Sequence, residues 1–229
     1  MPRVPDSRTL TFEMWVIGAD SNGRVPTSAT MRAEFEKNFN ALRDLFWNQG
    51  RPVSLTKRWK EYGSSVVQTA TATAIYAGGF EPQMNGSQRA SFSVDLFLPD
   101  PFFYGPQTTL TFPAIATSNI SPVILGDYET TSVTVKFEGV RNNVRLTNIS
   151  RGIWVNVNES LGGSVELHVN VKGWTAIKDP GNTNVNVIRD LTYFGHTNWF
   201  SLSPGTQTLS MTSSTGASGG TVVYRPKYL

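Results

Sequence analysis

The sequence predicts a mainly β protein made of two units, with one α-helix in the first unit. Apolar and polar residues alternate along Ala90–Leu98, as they do in a strand with one buried face. A succession of short strand candidates separated by turn residues follows Pro106, which is typical of an antiparallel β-sandwich. A helical apolar stripe is present only in the stretch about Ala29–Asn48.

The charge balance and the lack of cysteine exclude several classes of function. Lys and Arg number 11 against 10 Asp and Glu up to Gly105, and 9 against 7 after it. This small surplus forms no basic stripe of the kind that nucleic-acid binding needs. The absence of Cys excludes disulfides and thiolate metal sites, and no apolar run is long enough for a membrane span. We therefore expect no cofactor, no metal site and no membrane insertion.

A strand at Arg8–Ile17 and the helix open the first unit. Trp15 and Ile17 make the second face of the strand partly apolar, so that face is expected either to be buried or to contact a partner. The apolar residues of the helix fall within a stripe of about 120°, which predicts a helix docked on a core. They are Met31, Phe35, Phe39, Leu42, Leu45 and Phe46.

Gly63–Ala77 is expected to pair with Ala90–Leu98 in a long hairpin. In the first strand hydroxyls alternate with methyl groups, and the second strand has a matching polar face. The polar positions are Thr69, Thr71, Thr73, Ser91, Ser93 and Asp95. This face is either an ordinary solvated surface or the wall of a channel, where hydroxyls would let a polyanion pass without adhering.

The strand candidate Val53–Tyr62 ends in a basic cluster. Lys57, Arg58 and Lys60 lie close together in it. Such a cluster is typical of a solvated strand edge, because charge discourages unwanted strand addition. A contact with a neighbouring subunit is the functional alternative, and Trp15 is a further candidate for that contact.

The stretch Leu98–Gly105 predicts the boundary between the two units. Prolines remove two backbone donors, and three aromatic residues follow at once. The elbow consists of Pro99, Asp100, Pro101, Phe102, Phe103 and Tyr104. We therefore predict domains at residues 1–105 and 106–229.

The second unit contains strand candidates but no catalytic constellation. The candidates are Thr108–Phe112, Thr131–Glu138, Asn143–Asn148, Gly152–Val157, Ser164–Val171, Trp174–Ile177, Val185–Leu191, Asn198–Leu202, Gln207–Met211 and Gly220–Arg225. His168 and His196 have no partner at a metal-ligand spacing, and no catalytic residue is predicted. Trp154, Trp174 and Trp199 could stack on a sugar, although tryptophans inside strand candidates are more often core residues.

Several segments together resemble a known family, the distal tail proteins of long-tailed phages. They are RTLTFEMWVIG at residues 8–18, the single helix, VDLFLPDPFFYG at 94–105, and the closing NWFSLSPGTQTLSM and GGTVVYRPKYL. The chain is most similar in type to the Dit-like minor tail proteins of siphoviruses that infect actinobacteria.

The resemblance implies a structural protein of the virion tail tip, assembled in the host cytoplasm. Its first domain would be a tail-tube-like split β-barrel with one helix, closing as a six-membered ring around the DNA channel. Its second domain would be a galectin-like β-sandwich. The partners implied are the tail tube protein, the tail-tip or baseplate hub protein and the tape measure protein. Such proteins usually carry further strands before the segment that matches Arg8–Gly18, and here only seven residues precede it. The alternatives are a trimmed first domain or a start that was assigned late, and a neighbouring copy is a candidate to donate a strand that completes the barrel.

A lectin-like adhesion module is the alternative function. In that hypothesis the second domain binds a host-surface glycan through Trp154, Trp174 or Trp199. A glycosidase is not supported, because no pair of carboxylates has a distinctive spacing.

Overall fold

The computed structural model confirms a mainly β fold with one α-helix. It describes residues 7–47, 51–60, 62–63, 65–86, 88–115, 117–179, 181–194, 199–216 and 218–229. The chain divides into two compact units: one holds the residues up to Trp59 with Thr71–Phe102, and the other holds Lys60–Ala70 with Phe103–Leu229. In the described residues the sheets are antiparallel and form no closed barrel. The domain boundary expected after Gly105 stays a prediction.

The first unit is organised around its last strand. Its elements are β1 (Arg8–Ile17), α1 (Ser28–Trp47), β2 (Pro52–Trp59), β3 (Gln68–Gly78, of which the first three residues belong to the second unit), β4 (Gln83–Met84) and β5 (Arg89–Leu98). All ten residues of β5 pair with β1, from Arg89 opposite Ile17 to Leu98 opposite Arg8. β5 also pairs with β3 near one end and with β4 near the other, and β2 pairs with β3.

The alternation predicted for β5 is correct, and its apolar face carries the helix. Phe92 and the apolar residues that follow it at every second position are buried. The ring of Phe80 lies 4.9 Å from that of Phe92, and the ring of Phe46, from α1, lies 5.6 Å from Phe80. A buried aromatic side chain contributes about 1.5–3 kcal/mol, so this aromatic cluster holds the helix on the sheet.

A close approach fixes the end of β1 against the helix. A Cβ on Gly18 would lie 1.9 Å from the carbonyl oxygen of Met31, so only glycine fits there. The side-chain amide of Asn38 donates hydrogen bonds to the carbonyls of Ala19 at 2.9 Å and Ile17 at 3.2 Å. These contacts set the position of α1 relative to the strand that precedes it.

Two expectations about the first unit hold only in part, since Gly63–Ala77 does pair with Ala90–Leu98 but in another register. β3 pairs with β5 through Ile75 opposite Phe97 and Tyr76 opposite Leu96, so the threonine row does not lie opposite Ser91–Asp95. β1, and not β3, pairs with β5 along its whole length. This pairing was not predicted from the sequence, because alternation identifies the faces of a strand but not its neighbour. Trp15 and Ile17 are exposed, so burial is the wrong alternative for that face, and a partner contact stays a prediction.

The second unit is a sandwich of two antiparallel sheets. Its strands are β6 (Phe103–Tyr104), β7 (Thr108–Ile115), β8 (Thr117–Ile120), β9 (Val123–Ile124), β10 (Val133–Glu138), β11 (Arg141–Asn148), β12 (Ile153–Leu161), β13 (Leu167–Asn170), β14 (Thr175–Lys178), β15 (Val185–Asn186), β16 (Leu191–Phe194), β17 (Gly205–Thr206), β18 (Leu209–Thr212), β19 (Thr215–Gly216), β20 (Ser218–Tyr224) and β21 (Lys227–Tyr228). Sheet 1 has the order β15-β14-β13-β10-β20-β7. Sheet 2 has the order β16-β12-β11-β18-β8, with β19 beside β11. β6 pairs with β21, and β9 pairs with β17.

The core of the sandwich comes from the inward residues of both sheets. Phe137 of sheet 1 and Leu146, Val155 and Met211 of sheet 2 are fully buried in one cluster. Burial at every second position along β10 and β12 matches the alternation expected for a sandwich.

Two strand predictions in the second unit differ from the structure. Val185–Leu191 is interrupted by a 3-10 helix at Ile188–Asp190, where the side-chain oxygen of Asn186 accepts the backbone N–H of Ile188 at 3.0 Å. For Asn198–Leu202, Asn198 lies outside the described residues, and the remainder contributes one isolated bridge, between Leu202 and Thr130.

Candidate functional site: the polar face and apolar groove of the first unit

The polar face of the first unit is built from β5 and β1. Ser91, Ser93 and Asp95 point away from the helix and lie opposite Trp15, Glu13 and Thr11. The hydroxyl of Thr11 donates to Oδ1 of Asp95 at 2.6 Å. The structure therefore places three predicted site residues side by side on one exposed surface.

The threonines of β3 extend this face in part. Since Ile75 lies opposite Phe97, odd-numbered residues of β3 and β5 share a side of the sheet. Thr71 and Thr73 are therefore on the same side as Ser93, whereas Thr69 belongs to the second unit. Five of the six predicted positions therefore lie on one side of the sheet, although the cross-strand register differs from the predicted one.

Sequence reasoning missed the contribution of β1 to this surface. Thr9, Thr11 and Glu13 alternate along β1 and become part of the face only through the pairing with β5. Arg89 lies with its guanidinium 4.8 Å from the centre of the Trp15 ring. Two carboxylates and one guanidinium share a surface otherwise rich in hydroxyls, so the face holds no basic patch.

On the other side of the sheet, the described residues leave an apolar groove open. Its volume is about 340 Å³. It is lined by Phe12 and Met14 of β1, Leu45 and Phe46 of α1, Val53, Ser54 and Leu55 of β2, and Val94 and Leu96 of β5. β1 and β2 each have one partner strand in the described part of the chain, so each leaves one edge unpaired. A strand edge beside exposed apolar side chains is a surface that natural proteins usually cover.

The four predicted subunit-contact residues are all partly or fully exposed. Trp15 lies on edge strand β1. Lys57 and Arg58 lie on β2, where the Lys57 ammonium sits 5.2 Å from the centre of the Trp59 ring. Lys60 follows β2 directly and belongs to the second unit. Three of the candidates therefore lie on the two strands with unpaired edges.

The predicted elbow is half exposed and half buried. Pro99 and Asp100 are exposed, and the Asp100 carboxylate accepts the backbone N–H of Phe102 at 3.3 Å. Pro101, Phe102 and Phe103 are buried, and Tyr104 is half-buried. The division between the compact units falls between Phe102 and Phe103, within this stretch.

The three candidate glycan-binding tryptophans have different surroundings. Trp199 is buried, and its ring packs 5.0 Å from that of the exposed Trp174. Trp154 is half-buried on the outer face of sheet 2. Because sugar stacking needs an accessible ring, Trp199 is unsuited to that role, and the prediction now depends on Trp154 and Trp174.

The outer face of sheet 1 carries a network of charged residues. Lys136 Nζ lies 2.7 Å from Glu138 Oε1 and 2.7 Å from Glu166 Oε1. His168 Nε2 lies 3.0 Å from the other oxygen of Glu166. Hydrogen bonds to Glu138 and then Glu166 raise the pKa of Lys136, and the hydrogen bond from Lys136 is the main cause that lowers the pKa of Glu166. This is the pattern of an ordinary solvated sheet face.

Comparison with known proteins assigns the second unit. The model of the family described as siphovirus-type tail component, C-terminal domain, matches residues 125–228. Residues 125–228 are therefore similar to this tail-component domain, and we refer to the part of the second unit that they form as the tail-component domain. The predicted resemblance to distal tail proteins of siphoviruses is confirmed. No curated protein sequence matches the chain significantly.

A solved structure extends the likeness over the whole chain. The Dit protein of phage SPP1, described as a paradigm of hub adsorption apparatus in Gram-positive infecting phages, matches with a TM-score of 0.61. The sequences are 15% identical, and the match covers 99% of this chain and 81% of that one. At this identity the likeness establishes a shared fold.

No helix within the described residues is long and apolar enough to cross a membrane. The described part of the chain also contains no group of three His, Asp or Glu side chains that could hold a metal ion.

The charge network makes the stability of the tail-component domain depend on pH. Because the pKa of Glu166 is lowered, its contribution is present above the ordinary glutamate value of 4.5 and is lost as the pH falls through the lowered pKa. Because the pKa of Lys136 is raised, its contribution is present below 10.5 and is lost as the pH rises through the raised pKa. Lys136→Met should therefore lower the free energy of unfolding by less than about 1 kcal/mol at neutral pH. The effect should be smaller still in acid, where Glu166 is protonated. Urea unfolding of both proteins across acidic and neutral pH checks this, and a difference independent of pH would contradict it.

Proposed function

We propose that the chain is a structural protein of the virion tail whose copies close into a ring at the distal end of the tail. The tail-component domain at residues 125–228 and the fold shared with SPP1 Dit support a structural tail role. The resemblance to distal tail proteins supports six copies. Such a protein acts by assembly and not by catalysis.

The apolar groove of the first unit is the observation that carries the ring proposal. Phe12, Met14 and Leu45 remain exposed around it, and β1 and β2 present unpaired edges beside it. A neighbouring copy that docks here would bury these side chains and satisfy backbone donors and acceptors at the same time. In a ring each copy contacts the next head to tail, so the groove of one copy would receive a different surface of its neighbour.

The polar face is the proposed lining of the DNA channel. Ser91, Ser93, Asp95, Thr71 and Thr73 present hydroxyls and a carboxylate on one side of the sheet. A surface without a basic patch offers a phosphodiester backbone few attractive contacts, so DNA would pass without being held. The side of the sheet that carries the helix would then face away from the channel.

The partners of the ring follow from the position proposed for it. A ring at the distal end lies between the tail tube protein and the tail-tip or baseplate hub protein, and it surrounds the path of the tape measure protein and the DNA. The elbow Pro99–Tyr104 would carry the chain from the ring to the outer domain. Assembly would take place in the host cytoplasm, and the finished ring would lie at the virion tail tip.

Leu45→Lys should prevent ring assembly without unfolding the subunit. Leu45 is 55% exposed in the last turn of α1, and a lysine there interacts favourably with the helix dipole. If a neighbouring copy buried this lysine, however, its charge would be desolvated without a partner. We expect the wild-type chain to give rings of about six copies by mass photometry and electron microscopy, and Leu45→Lys to give monomers with an unchanged circular dichroism spectrum.

Val123→Lys is the matched control. Val123 is 63% exposed in the second unit and lies outside the groove, so this variant should assemble like the wild type. Wild-type monomers at every concentration tested would overturn the proposal, as would normal rings of Leu45→Lys. In images of the ring, Ser93 should face the hole, and a hole lined by α1 would contradict the channel assignment.

A further inference from the structure

The outer face of sheet 2 differs from an ordinary solvated sheet face. Register places ten side chains on it in two rows across the strands, with the buried Val155, Leu146 and Met211 on the opposite side. The first row is Phe194, Trp154, Thr147, Ser210 and Asn119, and the second is Thr192, Asn156, Arg145, Thr212 and Thr117. Seven are uncharged hydrogen-bonding side chains, two are aromatic and one is charged.

Sheet 1 of the same domain provides an internal comparison. On its outer face, Lys136 forms ion pairs with Glu138 and Glu166. On sheet 2, no carboxylate lies in either row, and no ion pair joins Arg145 to another described residue. An isolated guanidinium among hydroxyls and amides indicates recognition of a polar ligand more than solubility.

The guanidinium is held in place by an aromatic stack. Its central carbon lies 4.2 Å from the centre of the Trp154 ring. The Trp154 and Phe194 rings are stacked, with centroids 6.3 Å apart and planes 18° apart. The Nε of Arg145 is buried there with no hydrogen-bond partner among the described residues, so this side of the guanidinium is covered. Stacking therefore fixes the orientation of the guanidinium before any ligand binds.

Open hydrogen-bonding groups stand beside the aromatic stack. The Nδ2 group of Asn156 donates to Oδ1 of Asn158 at 2.7 Å and approaches Thr192 Oγ1 at 3.5 Å. This leaves the Asn156 oxygen and the Asn158 amide nitrogen without partners among the described side chains. A carbonyl acceptor, an amide donor and a guanidinium donor thus surround one patch of exposed aromatic surface.

We propose that this face binds a glycan, with the pyranose ring lying against Phe194 and Trp154 and its hydroxyls bonded by Asn156, Asn158 and Arg145. Neighbouring strands lie about 4.8 Å apart and alternate residues about 7 Å apart, so the two rows offer the area of a mono- or disaccharide. Alternating apolar and hydroxyl surfaces of a sugar match the aromatic and amide surfaces. The face has no carboxylate pair for hydrolysis, so the glycan is bound and not cleaved. This goes beyond ring formation and does not depend on it.

The test uses the full chain on an array of neutral, N-acetylated and uronic-acid-containing oligosaccharides. Phe194→Ser removes an aromatic face that is 61% exposed, and Asn156→Ala removes a hydrogen-bonding group with little packing. Each should weaken binding of the array hits about tenfold or more. Tyr193→Ser is the matched control, since Tyr193 is the adjacent aromatic residue of β16, is 46% exposed and lies outside the two rows.

The outcomes are distinguishable from each other and from failure of the ring. Selective loss in Phe194→Ser and Asn156→Ala, with unchanged melting temperature in Asn156→Ala, supports the site. A blank array at millimolar glycan overturns it, as does equal loss in Tyr193→Ser. Leu45→Lys should bind the same glycans per subunit as the wild type, because its substitution lies in the first unit.

Discussion

Gly220→Ala is expected to destabilise the tail-component domain strongly. Gly220 lies in β20 opposite Phe137, where two strands of sheet 1 meet the core. A Cβ there would lie 2.0 Å from the carbonyl oxygen of Lys136 and 3.2 Å from the sulfur of Met211. The carbonyl belongs to the neighbouring strand and cannot move without breaking the β10–β20 pairing. We expect the free energy of unfolding to fall by about 3 kcal/mol or more, which is at the upper end for a single added methyl group.

Gly162→Ala is the matched control for this prediction. A Cβ on Gly162 would make ordinary contact with Val165, at 4.0 Å, so its stability should change by less than about 0.5 kcal/mol. Hydrogen exchange followed by mass spectrometry separates the two units, and protection in β10 and β20 should fall only in Gly220→Ala. If both variants retain the protection of the wild type, the strand spacing at Gly220 is wrong.

The faces of the strands could be predicted from the sequence because burial is a local property of alternation. Phe92, Val94 and Leu96 are buried and Ser91 and Ser93 are not, as expected from the period of two. The helix was predictable for the same reason, since its stripe needs a core on one side only. The aromatic contacts among Phe46, Phe80 and Phe92 then follow from packing.

Strand partners could be predicted only for segments that are close in sequence, because much of the pairing joins distant segments. β1 and β5 are separated by the helix and three strands, yet they pair over ten residues. For Gly63–Ala77, proximity to Ala90–Leu98 identified the partner correctly but not the register, which depends on the geometry of the connecting turn. The 3-10 helix at Ile188–Asp190 had a local signal in Asn186, whose side chain competes with strand pairing.

The candidate sites also contain residues that a local pattern predicts and residues that only tertiary pairing brings in. The polar residues of β5 and β3 were visible as rows in the sequence, whereas Thr11 and Glu13 join them only through tertiary pairing. The groove combines residues of four elements and could not be recognised from any one of them. The face proposed to bind a glycan likewise joins five strands. Of its residues, only Trp154 was a candidate from the sequence.

Phe92→Ala is expected to release helix α1 from the first unit. The Phe92 ring is buried between Phe80 at 4.9 Å and Phe46 at 6.3 Å, so it joins the central strand to the helix. Truncating a buried phenylalanine to alanine costs about 3–5 kcal/mol, because transfer energy is lost and a cavity remains. The aromatic contacts would be lost in addition to the buried area. Hydrogen exchange should therefore show lost protection throughout α1 and β5.

Ser93→Ala tests whether the effect comes from the apolar face. Ser93 is the next residue of the same strand but lies on the exposed polar face, so its removal should change stability by less than about 0.5 kcal/mol. The groove beside Phe46 depends on the position of the helix, and Phe92→Ala should therefore also weaken ring assembly. Ser93→Ala should assemble normally. Equal loss of helix protection in both variants would show that α1 is not held by the aromatic cluster, and the groove would then lose its structural basis.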